Sequence, residues 1–564
     1  MDPRTHQGSL LAWLDDPAPD RGIHFARPDG GWSFCAYQAL AGMAREAAAG
    51  LLRRGVRAGQ VVALVGRAGP ELAAAFFGAL RVGAVPAVLA PPAAFQDPES
   101  YRETARRALA VGRPALAVVD DELLEGLARL LEGEARTVGF AALLEGGRGQ
   151  APPAPAPPGE LALLQFTSGS SGTARAVRVP RSALEANVAA IGKWLGWTPE
   201  TPFASWLPLH HDMGLVGGLV SPVVNRCDLW LLQPEQFIRD PLRWLRCLGA
   251  AGARLSATPA FGLDVVVRKV APGALEGLDF SGVQGIVVGA ERISADTLER
   301  FHRLLAPHGL RREAVLPAYG LAEATLAVSG LPRGEGWTTL AVERASLAPG
   351  RRVRLAGPGA EGAAVVGCGV PLDSVEVSVA GEGGAPLGEG SVGEIVVRGA
   401  SLAAGYLGAP APSPAAPADG GLRTGDAGFL WEGQLFVLGR LGDSLKVRGR
   451  VVFSEDLEVA LAGVGVPPSR TAVLLGVHEG APTAVLLAEE PAPQWRGAAE
   501  ALLRREAGGA RVAFVGVPRG AILRTTSGKP RRRPLWAWYV AGGLPGAAGR
   551  GGGARDLRGE DVDG

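Results

Sequence analysis

The sequence predicts an α/β protein: a large N-terminal part of parallel strands and helices with a β-subdomain behind it, then a small α+β C-terminal unit. Three observations predict it. Between Gln60 and Leu89, strand, helix and strand follow at the lengths of a βαβ unit, and the helix opens on Pro70, whose fixed φ suits a first helical position. A strand-like run that ends in a glycine-containing turn leads into a helix at Val287–Glu291, a second glycine-containing turn occurs at Tyr319–Glu323, and alternation of strand and helix favours α/β over all-α or all-β architecture. Gly367 to Ala400 instead alternates short β-rich runs with turns.

In chain order, Phe34 to Leu52 carries apolar residues at helical spacing. Pro114 to Val119 and Thr137 to Phe140 supply further short strands, with a helix from Asp121 to Leu131 between them. Ala151 to Pro158 reads APPAPAPP, a stiff surface crossing. It leads into the apolar run Leu161 to Phe166, which reads as a buried strand and delivers the chain to Thr167-Ser168-Gly169-Ser170-Ser171-Gly172-Thr173. Nothing in that stretch fills a core. Its glycines let backbone N–H groups converge without steric penalty, and its hydroxyls add donors for phosphate oxygens. The stretch is either a phosphate cradle or a plain Ser/Gly loop; no Lys-Ser/Thr pair closes it, so it is not a Walker motif.

Arg181 to Leu195 predicts a helix whose N-terminus faces the phosphates. Ser205 to Gly214 reads SWLPLHHDMG, polar and aromatic residues on a loop, with an adjacent His210-His211 pair that packing alone explains poorly. The glycine turns at Val287–Glu291 and Tyr319–Glu323 serve either as strand-to-helix connections or as site loops, and Glu323 suits Mg²⁺, which takes one or two carboxylates plus phosphate oxygens. Asp426, in Leu422–Asp426, sits on a tight turn and either meets ribose hydroxyls or caps its own turn. After Gly439–Asp443 a last unit follows: a strand Ser444 to Val447, a helix Glu455 to Leu461, strands at Ala472–Val477, Ala484–Leu487 and Arg511–Val517, and a helix Leu502–Glu506. Leu523 to Lys529 is a polar loop, and the Gly/Arg/Asp-rich tail beyond about Gly542 predicts disorder. The division expected is 1–440, 441–541 and a tail of 542–564.

Composition bounds the function. A chain of 564 residues exceeds one core. A formal net charge of +1 gives no electrostatic case for nucleic acid. The cysteines Cys35, Cys227, Cys247 and Cys368 lack metal-ligand or disulfide spacing, which fits a reducing cytoplasm. No secretory signal and no membrane-spanning run is read. Arginine has nearly displaced lysine: only Lys193, Lys269, Lys446 and Lys529 remain, so a lysine inside a motif stands out as a compact point charge.

Taken together, these segments resemble the adenylate-forming enzymes, the superfamily of acyl-CoA ligases, luciferase and peptide-synthetase adenylation domains, over about Ser9 to Val540. The cradle is similar to that family's phosphate loop, YGLAE to its magnesium and nucleotide motif, TGD to its ribose motif, GRLGDSLKVRG to its interdomain hinge around Asp443, and RTTSGK to its catalytic-lysine loop. SWLPLHHDMGLVGG, ATPAFGLDVVVRKV and LPAYGLAEATLAVSG resemble the fatty acyl-AMP ligases in particular. Those relatives carry an insertion after YGLAE that disfavours CoA-dependent chemistry, and Leu331 to Val366 is the candidate for it here.

The resemblance implies ATP-dependent activation of a fatty acid to acyl-AMP with Mg²⁺, then transfer to the phosphopantetheine thiol of an acyl carrier protein. It implies that Thr167 to Thr173 and Arg175 hold phosphates, Glu323 holds Mg²⁺, Gly289, Ala290, Glu291, Tyr319, Gly320 and Leu321 frame the adenine, and Asp426 with Arg440 takes the ribose. Lys529 bridges the attacking carboxylate and the α-phosphate, and His211 lines the carboxylate end of the acyl tunnel, while Asp212 could instead tether its own loop. An acyl-CoA ligase and a non-catalytic nucleotide- or acyl-binding homologue are the alternatives. The chain departs from the family pattern at Ala174-Arg175, where Pro-Lys is usual, at Gly442, where a charge is usual, and at Lys446, where fatty acyl-AMP ligases often have an apolar residue.

Overall fold

The computed structural model describes residues 9–92, 98–130, 133–151, 153–154, 160–168, 174–357, 362–409, 421–447, 450–525 and 528–543. Five of the cradle residues, Gly169 to Thr173, and the tail from 544 lie outside them.

The βαβ unit forms as predicted: strand Val61–Val65, helix Pro70–Arg81 and strand Val85–Leu89. With Leu116–Val119 and Thr137–Gly139 these strands make a four-stranded parallel sheet. Helices Tyr37–Arg53 and Pro70–Arg81 close together because Gly78 faces the backbone of Ala44; a Cβ there would meet its carbonyl oxygen at 2.7 Å.

The centre of the molecule is a nine-stranded sheet. Its parallel heart runs Val315–Gly320, Gly285–Gly289, Leu255–Pro259, Phe203–Ser205, Leu229–Leu231 and Gly22–Ala26. Ligands of open parallel sheets sit beyond the carboxyl ends of the strands. Three of those ends here are Pro259, Gly289 and Gly320.

The β-subdomain is an antiparallel sheet of Val375–Ala380, Gly393–Gly399, Leu422–Trp431 and Gln434–Arg440. Thr339–Glu343 pairs with Gly362–Val366, and Val342, Leu347, Val353 and Val365 of this stretch pack with Phe429, Phe436 and Phe453. This stretch is therefore wedged between that sheet and the chain beyond Asp443. Arg344 of the same stretch pairs with Glu506 at 3.0 Å.

The last unit holds a hairpin, Ser444–Val447 with Arg450–Phe453, and a sheet of Thr471–His478, Ala481–Glu489 and Arg511–Val517, covered by helices Ser454–Gly463 and Pro493–Glu506. A helix the sequence reading did not anticipate, Arg532–Val540, follows the lysine loop. Among the described residues no helix is long and apolar enough to cross a membrane.

Two expectations change. The cradle joins antiparallel strands, Leu161–Ser168 and Ala174–Pro180, and helix Arg181–Leu195 begins only after the second. Leu161 lies opposite Pro180 and Ser168 opposite Ala174, so the helix N-terminus is at the far end of the hairpin from the cradle, about 20 Å away at the usual rise per residue. Its dipole does not serve the phosphates. Asp426 is also not on a tight turn: it lies inside strand Leu422–Trp431, where the pairing with Gly393–Gly399 slips and Gly425 takes φ 73°. A bulge of this kind re-aims a side chain within a sheet.

Candidate active site

A cavity of about 440 Å³ opens between the carboxyl ends of the central strands, the β-subdomain and the lysine loop. Thr167, Arg175, His211, Gly289, Ala290, Glu291, Tyr319, Gly320, Leu321, Glu323, Asp426, Arg440, Asp443 and Lys529 all line it. Residues separated by as many as several hundred positions thus meet in one space.

Asp426 is held from two sides. Tyr319 Oη donates to its Oδ2 at 2.6 Å, and Arg440 Nε meets its Oδ1 at 2.8 Å, because Asp426 and Arg440 are register partners in adjacent strands. Burial pushes the Asp426 carboxyl above its usual range, and the Arg440 guanidinium opposes that. The result is a fixed, doubly oriented acceptor, and capping of its own turn is not its role: Thr424 Oγ1, not Asp426, closes that bulge by accepting from the Asp426 N–H at 3.1 Å.

Glu323 follows in the short turn after Val315–Gly320. Tyr406 Oη donates to its Oε1 at 2.5 Å, and the Arg175 guanidinium lies 5.2 Å from the centre of the Tyr406 ring. Tyr406 arrives there because the segment around it pairs with Ala174–Pro180: Leu407 N–H donates to Ala176 O and Arg178 N–H to Gly405 O. Thr167 and Arg175 face each other across the mouth of the cradle hairpin. Among the described residues no group of three or more His, Cys, Asp or Glu side chains could hold a metal by itself. A single oriented carboxylate in the cavity that Thr167 and Arg175 also line fits Mg²⁺, which is held by one or two carboxylates with substrate phosphates and water.

Ala290 has φ 65°, an unusual conformation for a residue with a Cβ, and one that clusters at functional sites. Its carbonyl oxygen accepts from Lys529 Nζ at 2.5 Å, which brings the ammonium of the last unit to the end of a central strand. Glu291 is turned aside: its Oε1 accepts from the Phe261 N–H, bracing the start of helix Ala260–Lys269.

His211 precedes an eight-residue π-helix, Met213–Val220, a form frequent at functional sites. Burial, with His210 and Lys529 adding like charge, pushes its imidazole down to about 3, so it is neutral near pH 7. Its Nε2 is buried without a hydrogen-bond partner among the described residues. Asp212 tethers its own loop, accepting from the Met213 N–H at 2.7 Å, and burial pushes its carboxyl up to about 6.

Sequence reasoning missed three side chains here. Tyr406 stands in a glycine-flanked GYLG, a weak signal. Glu455 and Arg532 also line the cavity. Arg532 Nη1 meets Asp443 at 3.1 Å and Glu455 at 3.8 Å, and its Nη2 meets Glu458 at 2.6 Å. Its position three residues after Lys529, inside a basic run, was the available clue.

The AMP-binding enzyme family matches residues 16–407. The long-chain-fatty-acid–AMP ligase FadD26 of Mycobacterium marinum is 35% identical over 427 residues, 69% of this chain and 71% of that protein. The 4-hydroxyphenylalkanoate adenylyltransferase of Mycobacterium tuberculosis is 35% identical over 342 residues, 56% of this chain and 55% of that protein. A solved structure from work on fatty acyl-adenylate ligases of E. coli and L. pneumophila superimposes with a TM-score of 0.87 at 30% identity, covering 95% of this chain and 98% of its own. An L. pneumophila fatty acyl-adenylate ligase in complex with acyl adenylate and pyrophosphate superimposes with a TM-score of 0.72 at 26% identity, covering 95% and 96%.

Proposed function

Because this chain belongs to the AMP-binding enzyme family, we propose that it is a fatty acyl-AMP ligase: it joins a fatty acid to the AMP moiety of ATP with release of pyrophosphate, then passes the acyl group to the phosphopantetheine thiol of an acyl carrier protein. The observation that carries the reading is the approach of Lys529 Nζ to Ala290 O, at the mouth of the cavity that also holds Asp426, Glu323 and His211.

The chemistry asks for positioning and charge neutralisation rather than a nucleophilic side chain. A carboxylate must approach the α-phosphorus against like charge while a more negative pyrophosphate leaves. In this reading Asp426 accepts from the ribose hydroxyls, with Tyr319 and Arg440 holding its two oxygens in place. Thr167 and Arg175 meet the outer phosphates, together with the cradle residues Ser168 to Thr173. Ala290 and the Tyr319–Leu321 turn flank the base. Glu323, oriented by Tyr406, would hold Mg²⁺, which when bound neutralises charge on the phosphates. Lys529 stands where negative charge accumulates on the carboxylate and α-phosphate oxygens, and a neutral His211 can donate a hydrogen bond to the same carboxylate without drawing it away from phosphorus. The unit from 441 to 541 moves as a lid about Asp443, withdrawing Lys529 so that a thiol can enter.

ATP–pyrophosphate exchange across a series of fatty acids tests the first step, and transfer of label to a holo carrier protein rather than to CoA tests the second. Exchange that persists undiminished in Lys529→Ala, or abundant acyl-CoA with no acylated carrier, would overturn the corresponding half.

A further inference from the structure

We propose that this enzyme selects fatty acids of medium length, about eight to ten carbons, because its acyl tunnel is floored by Trp197 and Phe203. The inference rests on the reading above and specifies its substrate. The apolar end of the cavity descends one face of the central sheet. Gly289, Val287, Ala257 and Phe203 all line it, and the register explains why they share that face: Pro259 pairs with Gly289, Ala257 with Val287, and Leu255 with both Gly285 and Phe203. Residues two apart on a strand face the same way, so the row descends from Gly289 to the level of Phe203 in four residue rises, about 13 Å.

The row ends there for a visible reason. Leu255 leans over Gly285, its Cδ2 3.2 Å from where a Cβ would stand. Trp197 stacks on Phe203 with ring centres 5.0 Å apart and planes at 25°, and its Nε1 donates to Cys227 Sγ at 3.1 Å. Trp194 forms the side wall and is anchored by Nε1 donating to Leu331 O at 2.7 Å. Trp197, stacked on Phe203 and pinned by a hydrogen bond, makes a floor that does not swing aside as a methionine would, and Trp194, also pinned, makes a side wall of the same kind.

The top of the row is fixed by chemistry, since the carboxylate must lie where Lys529 meets Ala290. A zigzag of carbon–carbon bonds of about 1.5 Å advances about 1.3 Å per methylene, so about ten carbons span the tunnel. Ala257 stands at half depth, beside Val287.

Binding of non-hydrolysable N-acylsulfamoyl adenosines carrying hexanoyl, decanoyl and hexadecanoyl chains reads the length directly. Affinity is expected to rise about a hundredfold from hexanoyl to decanoyl as methylenes are buried, and the hexadecanoyl analogue is expected to bind more weakly than the decanoyl one. Ala257→Leu should bring the decanoyl analogue down to the hexanoyl level while hexanoyl binding is retained, which also reports an intact fold. Trp197→Ala should recover the hexadecanoyl analogue. Tighter binding of hexadecanoyl than decanoyl by the unaltered protein, or an unchanged ranking in Ala257→Leu, overturns the proposal. The ranking comes from binding alone, so failure of pyrophosphate exchange with every acid counts against the proposed reaction and not against the tunnel length. No binding by any of the three analogues overturns both.

Discussion

Arg532 is the side chain whose removal the structure makes most informative. Its guanidinium is 11% exposed and reaches Asp443, 15% exposed, Glu455, 22% exposed, and Glu458, 16% exposed. Its Nε also donates to Val473 O at 3.2 Å, tying the lysine loop to the sheet of the last unit. Arg532→Met leaves three poorly solvated carboxylates with no shared cation. Breaking a buried pair in this way costs ~3–5 kcal/mol. Glu455 trims the figure: burial pushes its carboxyl up to about 7, with Arg532 opposing, so once the arginine is gone it takes up a proton readily. About 3 kcal/mol remains, about a hundredfold in the population that presents Lys529 to the cavity. ATP–pyrophosphate exchange at saturating acid and ATP should therefore fall about a hundredfold at pH 8, with KM for the acid little changed because the tunnel is untouched. A carboxyl raised in the folded state favours that state when protonated, and this contribution is lost as pH climbs through about 7. The defect should accordingly be smaller at pH 6 than at pH 8, and Arg532→Lys, a point charge without the fork, should fall between. Exchange within about threefold of the unaltered protein at pH 8, or a defect that ignores pH, would refute the argument.

Three further outcomes follow from the same geometry. Lys529→Ala should lower the rate of acyl-adenylate formation by ~10²–10³, the usual effect of deleting one preorganised charge-stabilising donor, while binding of an acyl-adenylate analogue stays within about tenfold by calorimetry. Tyr319→Phe removes a hydrogen bond to a buried carboxylate, ~1.5 kcal/mol or slightly more, so KM for ATP should rise about tenfold with kcat retained; steady-state kinetics at varied ATP decide it. Tyr406→Phe frees the Glu323 carboxylate and should raise the Mg²⁺ concentration needed for half-maximal nucleotide binding by about tenfold, as loss of such an orienting partner does elsewhere, read by titrating Mg²⁺ against fluorescent ATP binding.

Local chemistry made the βαβ unit legible. Pro70 at a first helical position, a continuous apolar run at Val61–Val65 and helical spacing to Arg81 agree with one another, and the structure departs from the expected boundaries by a residue or so. The glycine turns were legible for the same reason, since a strand that ends at Gly289 or Gly320 must release the chain at the sheet's edge. Helix Arg181–Leu195 was identified correctly and aimed wrongly. The seven residues between the cradle and its start, Ala174–Pro180, are a strand that carries the chain the length of the hairpin before the helix begins. The TGD carboxylate was misread in its setting: glycine at positive φ suits a bulge as well as a turn, and only the slipped pairing with Gly393–Gly399 distinguishes them.

The acyl tunnel left no local trace in the sequence for a physical reason. In a parallel sheet covered on both faces, every strand reads as continuous apolar residues, so alternation cannot mark which side holds a ligand. Val287, Ala257 and Phe203 look like core in their own segments. They become a tunnel only because side chains in neighbouring strands fall into register on one face and a tryptophan just past the end of helix Arg181–Leu195 stops them. Two carboxylates beside Arg532 are hidden in the same way: Glu455 and Glu458 are unremarkable singly and acquire meaning when the chain returns more than seventy residues later with one guanidinium. In the proposed reaction, binding the triphosphate uses groups concentrated in short motifs, whereas choosing the acid and steering the lysine use groups that meet only across elements. Substitution at the second kind should therefore change selectivity or the presentation of Lys529 while ATP affinity is preserved, a separation that motif residues such as Asp426 cannot give.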